Sequence, residues 1–213
     1  MNAAVEQLLI VVLALNFLAL GASKLRTVIQ TVAVQGALIG MLPLFLRDPI
    51  EMRGLLLSMG TIVLKGLVIP GFLFYAKREA DIRHEARPTI GYIPSLVLGT
   101  VGISFAVVFA RALLIDEDQQ KTLLVPASLA TAFCGFLILT TRKMAINQVV
   151  GYLVLENGVF MFGMLLLEAL PLLVEIGALL DLFTGIFVMG IIIHQINREF
   201  ASISTEYLSE LKD

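Results

Sequence analysis

The sequence has 213 residues, of which 58% are hydrophobic and only 15% charged. A soluble domain averages roughly 45–50% apolar and about 25% charged residues, so a water-soluble globule is excluded and lipid is the expected solvent. The formal net charge of −2 is spread along the chain, which leaves no basis for a nucleic-acid surface or a polybasic lipid-binding tail.

The pattern predicts an all-α integral membrane protein with about seven transmembrane helices, near residues 3–22, 27–46, 54–76, 91–113, 122–140, 145–167 and 171–194. The first span ends in ALGAS, which could pass for a cleavage site, but Glu6 and the absence of Lys or Arg before it argue for an uncleaved helix. The second span carries Gln30 and Gln35, and the third carries Lys65. After the third comes the polar loop KREADIRHEARP (77–88), and after the fourth the solvated DED run at 116–118. The fifth span holds the only cysteine, Cys134, which excludes an intramolecular disulfide and any cluster or nickel site built from several thiolates of this chain. Asn147, Gln148, Glu156 and Asn157 fall in the sixth span, and Glu175, Asp181 and Thr184 in the seventh.

Orientation follows from the basic residues. Loops after odd-numbered spans hold ten Lys and Arg, against four after even-numbered spans. The positive-inside rule then puts the N-terminus outside and the C-terminus in the cytoplasm. The chain divides into a four-helix part, 1–121, and a three-helix part, 122–213, that ends in a short cytoplasmic tail. Two segments, 23–40 and 140–158, resemble one another through basic caps, Gln30 against Gln148 and Gly40 against Gly158, as a parallel repeat would.

An ionisable group at the bilayer centre costs at least about 2.5–3.5 kcal/mol and needs a reason. Glu156 lies thirteen residues after Lys143, Asp181 thirteen before His194, and Lys65 twelve before Lys77. At about 1.5 Å per residue, each sits roughly 18–20 Å from the same membrane face. Groups at one depth on neighbouring helices can pair or exchange protons in the membrane plane. Burial and a neighbouring cation move a carboxylate's proton affinity in opposite directions, which lets such a site be tuned. Gln30, Gln35, Asn147, Gln148, Asn157, Thr184 and Glu175 are the candidate lining of a polar path; the bland alternative is a static buried ion pair that fixes packing. No Walker loop, Ser-His-Asp set or metal-ligand spacing occurs, so the chain alone is not expected to be an enzyme.

The stretches RKMAINQVVGYLVLENGVF (142–160) and LLVEIGALLDLFTGIFVMGIIIHQI (172–196) resemble the three-helix K-type subunit of respiratory complex I and the C subunit of Mrp-type cation/proton antiporters. With four further helices ahead of that unit, the whole chain resembles the E membrane component of hydrogenase-4 type energy-converting [NiFe] hydrogenases, a group that includes formate hydrogenlyase relatives. The resemblance puts Glu156 on the first buried acid of the family and Asp181, with Gly185, on the second, where glutamate is usual. It implies a prokaryotic cytoplasmic (inner) membrane location. It also implies partners: a peripheral hydrogenase-like arm that holds the [NiFe] centre and iron–sulfur clusters, a quinone-site-like membrane subunit, and antiporter-like subunits. No cofactor is expected in this chain, whose share would be proton or sodium translocation through Glu156 and Asp181, with Lys65 added from its depth. The alternative is a scaffold that joins the hydrogenase and antiporter-like modules.

Overall fold

The computed structural model describes residues 3–46, 52–79, 89–113, 123–164 and Gly190. Their elements are helical throughout: α1 (Ala3–Gly21), α2 (Leu25–Leu46), α3 (Met52–Val63), a π-helical turn (Leu64–Val68), α4 (Ile69–Glu79), α5 (Tyr92–Ala112), α6 (Leu124–Thr141) and α7 (Ala145–Met164). Among the described residues, five stretches are long and apolar enough to cross a membrane: Ala3–Gly21, Leu25–Phe45, Ser58–Arg78, Tyr92–Ala112 and Leu124–Thr141. Helix α7 has similar length but is interrupted by Asn147, Gln148, Glu156 and Asn157. Apart from Gly190, the predicted span at 171–194 lies outside the described residues, and Asp181, Thr184 and Glu175 with it.

Proline placement explains several local features. Pro94 and Pro126 stand in the first turns of α5 and α6, where the missing N–H costs nothing. Pro70 stands just after the π turn. An α-helical Pro70 would clash with the Gly66 carbonyl and leave it without a donor. The wider turn relieves this, with the Ile69 N–H reaching Leu64 O five residues back. Helix α3, the π turn and α4 thus form one continuous rod, with Lys65 in its widened turn.

Helices α1, α2, α7 and α6 close into a four-helix bundle: α1 packs on α2 and α6, and α7 packs on α6 and α2. The bundle draws two helices from each side of residue 121. The α3–π–α4 rod lies against α2, and α5 contacts α1 and α6. Lipid tails are as apolar as leucine, so close backbone approach must do much of the work of helix association. A Cβ at Gly135, Gly151 or Gly158 would run into the facing backbone of the α6–α7 pair, at Gly151 within 2.5 Å of the Leu139 nitrogen. Gly36 and Gly40 serve α2 in the same way: added Cβ atoms would lie 2.7 Å from Lys65 Cβ and 2.8 Å from Ile62 Cγ1. This contact holds the Lys65 backbone directly beside α2.

The bundle core has two apolar halves. One contains Val5, Leu9, Val12, Ile39, Leu42, Ala127 and Met161. The other contains Leu20, Val28, Ile29, Val32, Cys134, Ile138, Val150 and Val154, and extends to Ile69 and Leu73 of α4. In each helix of the bundle the residues between the two halves include a polar one.

Candidate functional site

Those polar residues are Asn16 on α1, Gln35 on α2, Thr131 on α6 and Asn157 on α7, all at most 2% exposed. Lys65 joins them from the π turn, and Glu156 lies beside Asn157; both are 5% exposed. Lys65 Nζ donates to Asn157 Oδ1 at 3.1 Å. Asn157 Nδ2 donates to Gln35 Oε1 at 3.3 Å, Gln35 Nε2 to Asn16 Oδ1 at 2.7 Å, and Asn16 Nδ2 to Thr131 Oγ1 at 2.8 Å. Every donor points the same way, from Lys65 toward Thr131. Three carboxamides therefore stand head to tail with their oxygen ends toward the ammonium, a dipole stack that stabilises positive charge at Nζ and whose bonds polarise one another.

Lys65 Nζ also lies 3.9 Å from Glu156 Oε1 and 5.1 Å from the centroid of the Phe160 ring. Glu156 and Phe160 are one helical turn apart on α7, so they present carboxylate and ring to the same cation. The Lys65–Glu156 distance is that of an ion pair and longer than a hydrogen bond. A primary amide passes a proton along only through an unfavourable tautomer, so the groups of this cluster able to exchange protons are Lys65 and Glu156. The carboxamides position the lysine.

The structure brings Lys65, Glu156, Gln35 and Asn157 together and leaves three other candidates apart. Gln30 and Gln148 are exposed, and Asn147 is buried at the far end of α7. Asn16 and Thr131 were not singled out in the sequence. Asn16 carried a usable signal, as the one amide in the apolar run of α1. Thr131 carried none, because threonine in an apolar helix ordinarily bonds its own backbone, as Thr31, Thr100 and Thr141 do here.

A second polar group lies at the end of the bundle where α1 and α6 finish. Arg142 follows α6, is 5% exposed, and donates from Nη2 to Leu20 O at 2.6 Å, satisfying an orphan carbonyl at the C-terminus of α1. Its guanidinium lies 4.7 Å from the Tyr92 ring centroid. Burial lowers the Arg142 pKa from its ordinary value and Tyr92 raises it in opposition; arginine remains a cation throughout. Gln148 Nε2 donates to Arg142 O at 3.2 Å, fastening the α6–α7 turn.

The fold and this buried cluster define a polytopic helical membrane protein with a buried polar layer. The chain belongs to the family of the uncharacterized protein Rv0085 of Mycobacterium tuberculosis, to which it is 32% identical over 193 residues, 89% of this chain and 87% of that protein. It is distantly similar to hydrogenase-4 component E of Escherichia coli K12 and of Shigella flexneri, at 22% identity over 158 residues, 74% of this chain and 73% of each relative. No family model and no solved structure matches it.

Proposed function

We propose that the chain is a membrane-arm subunit of an energy-converting hydrogenase-like complex, in which Lys65 and Glu156 form a protonatable pair in the path of proton or sodium translocation. The distant similarity to hydrogenase-4 component E is compatible with such a subunit. The observation that carries the reading is the buried Lys65–Glu156 pair at 3.9 Å, backed by the carboxamide stack. Charge in this position is costly and is ordinarily kept for a purpose. Apolar residues of the bundle stand on both sides of the polar layer, which favours exchange within the membrane plane over passage through this bundle from face to face. Asp181 is the second acid in this scheme, with the N-terminus outside and the C-terminus in the cytoplasm of a prokaryotic inner membrane. The partners are the hydrogenase-like arm with its [NiFe] centre and iron–sulfur clusters, the quinone-site-like subunit and the antiporter-like subunits.

The test is made on the assembled complex in its native membrane. Glu156→Gln and Lys65→Gln are expected to assemble and retain redox turnover while ion movement per turnover falls several-fold. Full coupling in both variants would remove the pair from the translocation path. The carboxamide chain favours a second reading, a scaffold, because amides fasten helices without conducting protons; full coupling in assembled variants is the result that reading expects.

A further inference from the structure

We infer that the cavity at the Arg142 end is an anion site, which takes one oxygen of a phosphate group. The cavity is bounded by Ser23 of the α1–α2 turn, Tyr92 of α5, Arg142, and Asn147 of α7, over an apolar floor that includes Val28 and Ile138. It has room for about one water-sized group. Arg142 Nη1 is fully buried and has no hydrogen-bond acceptor among the described residues. A buried guanidinium with an idle donor is costly unless an acceptor, preferably an anion, completes it. Arg142 also has no carboxylate within ion-pair distance among the described residues. Its other contacts, a carbonyl and an aromatic ring, leave its charge uncompensated.

The surroundings select the ligand. Ser23 and Asn147 add neutral polar groups; the lining draws on the starts of α2 and α7 and equally on the ends of α1 and α6, so the helix dipoles offset one another and Arg142 supplies the positive charge. Two of the lining residues are followed in the chain by an exposed lysine, Lys24 after Ser23 and Lys143 after Arg142. A ligand with several negatively charged oxygens fits this better than one carboxylate. One oxygen enters while the others stay at the mouth, among the lysines. A phosphodiester headgroup of an anionic lipid and free phosphate share this chemistry, and the helix ends place the site where headgroups lie.

The full-length chain in neutral detergent is followed by thermal unfolding at matched ionic strength, with added inorganic phosphate, acetate or chloride. A parallel series uses vesicles of phosphatidylcholine alone or mixed with phosphatidylglycerol. Saturable stabilisation by phosphate, by phosphatidylglycerol, or by both is expected, and which of them acts identifies the source. Arg142→Gln is expected to weaken the effect about tenfold or more, as loss of a charge-assisted hydrogen bond does. Asn147→Ala, which leaves the Leu20 and Tyr92 contacts of Arg142 in place, is expected to weaken it several-fold and carries the test should Arg142→Gln not fold. No saturable effect in the wild type overturns the inference. So does stabilisation by acetate alone, which would assign the cavity to a carboxylate such as one from a partner protein. An effect that persists in Asn147→Ala and disappears in Lys24→Gln/Lys143→Gln also overturns it, by moving the binding to the surface.

Discussion

Gln35 is the middle link of the polar chain, and replacing it by leucine tests whether that chain exists as a coupled unit. Gln35→Leu removes two hydrogen bonds and leaves Asn16 Oδ1 and Asn157 Nδ2 without their partners. Interhelical hydrogen bonds in a bilayer average about 0.6 kcal/mol each, and each orphaned buried group costs about 1–3 kcal/mol. The two bonds alone set a floor of about 1 kcal/mol and the two orphaned groups a ceiling of about 6 kcal/mol, so the variant should lose between about 1 and 6 kcal/mol of stability. Asn16→Leu removes the bond to Thr131 and orphans Gln35 Nε2, with a loss of the same order. Once Gln35 is leucine, however, the Asn16 oxygen is already unpaired, so the second substitution removes an orphan instead of creating one. The double variant should be less destabilised than the sum of the singles by about 0.5–3 kcal/mol. The measurement is reversible denaturation in mixed micelles, followed by far-ultraviolet circular dichroism because the chain has no tryptophan. Additivity within about 0.3–0.5 kcal/mol would refute a bonded Asn16–Gln35 pair and the oriented stack built on it.

Removing the lysine from the buried pair should cost more than altering the glutamate. Lys65→Met takes the cation from beside a buried carboxylate and is expected to destabilise by up to about 3–5 kcal/mol, whereas Glu156→Gln, which keeps an acceptor near Nζ, should cost less in the same denaturation assay. Gly151→Ala puts a methyl against the Leu139 backbone, and overpacking of this kind costs about 1–3 kcal/mol; Gly163→Ala, where an added Cβ meets no atom of the described residues within 4 Å, is the control and should be near neutral. Tyr92→Ala takes the ring from Arg142 and should cost about 0.5–2 kcal/mol by thermal unfolding, while Tyr92→Phe, which keeps the ring, should cost less than Tyr92→Ala.

The sequence by itself determined that the chain is a bundle of apolar helices, because lipid leaves the backbone no other way to satisfy its hydrogen bonds along such runs. It also marked Lys65, Glu156, Gln35 and Asn157, since a polar group in an apolar run is visible as an exception. Tertiary structure decided which exceptions meet. Gln30 and Gln35 look alike in sequence, yet five residues turn a helix by well over a quarter circle, and only Gln35 faces the bundle core. Tertiary structure also supplied Asn16 and Thr131 as the far links of the stack. It put Arg142 inside the bundle end, where the sequence shows only a basic residue between two spans. Side-chain direction and the partner across a helix interface depend on packing, here on glycines that let α2 approach the Lys65 turn and α7 approach α6. Composition could announce that charge was buried; only the assembled helices show a lysine held between a glutamate and three aligned amides.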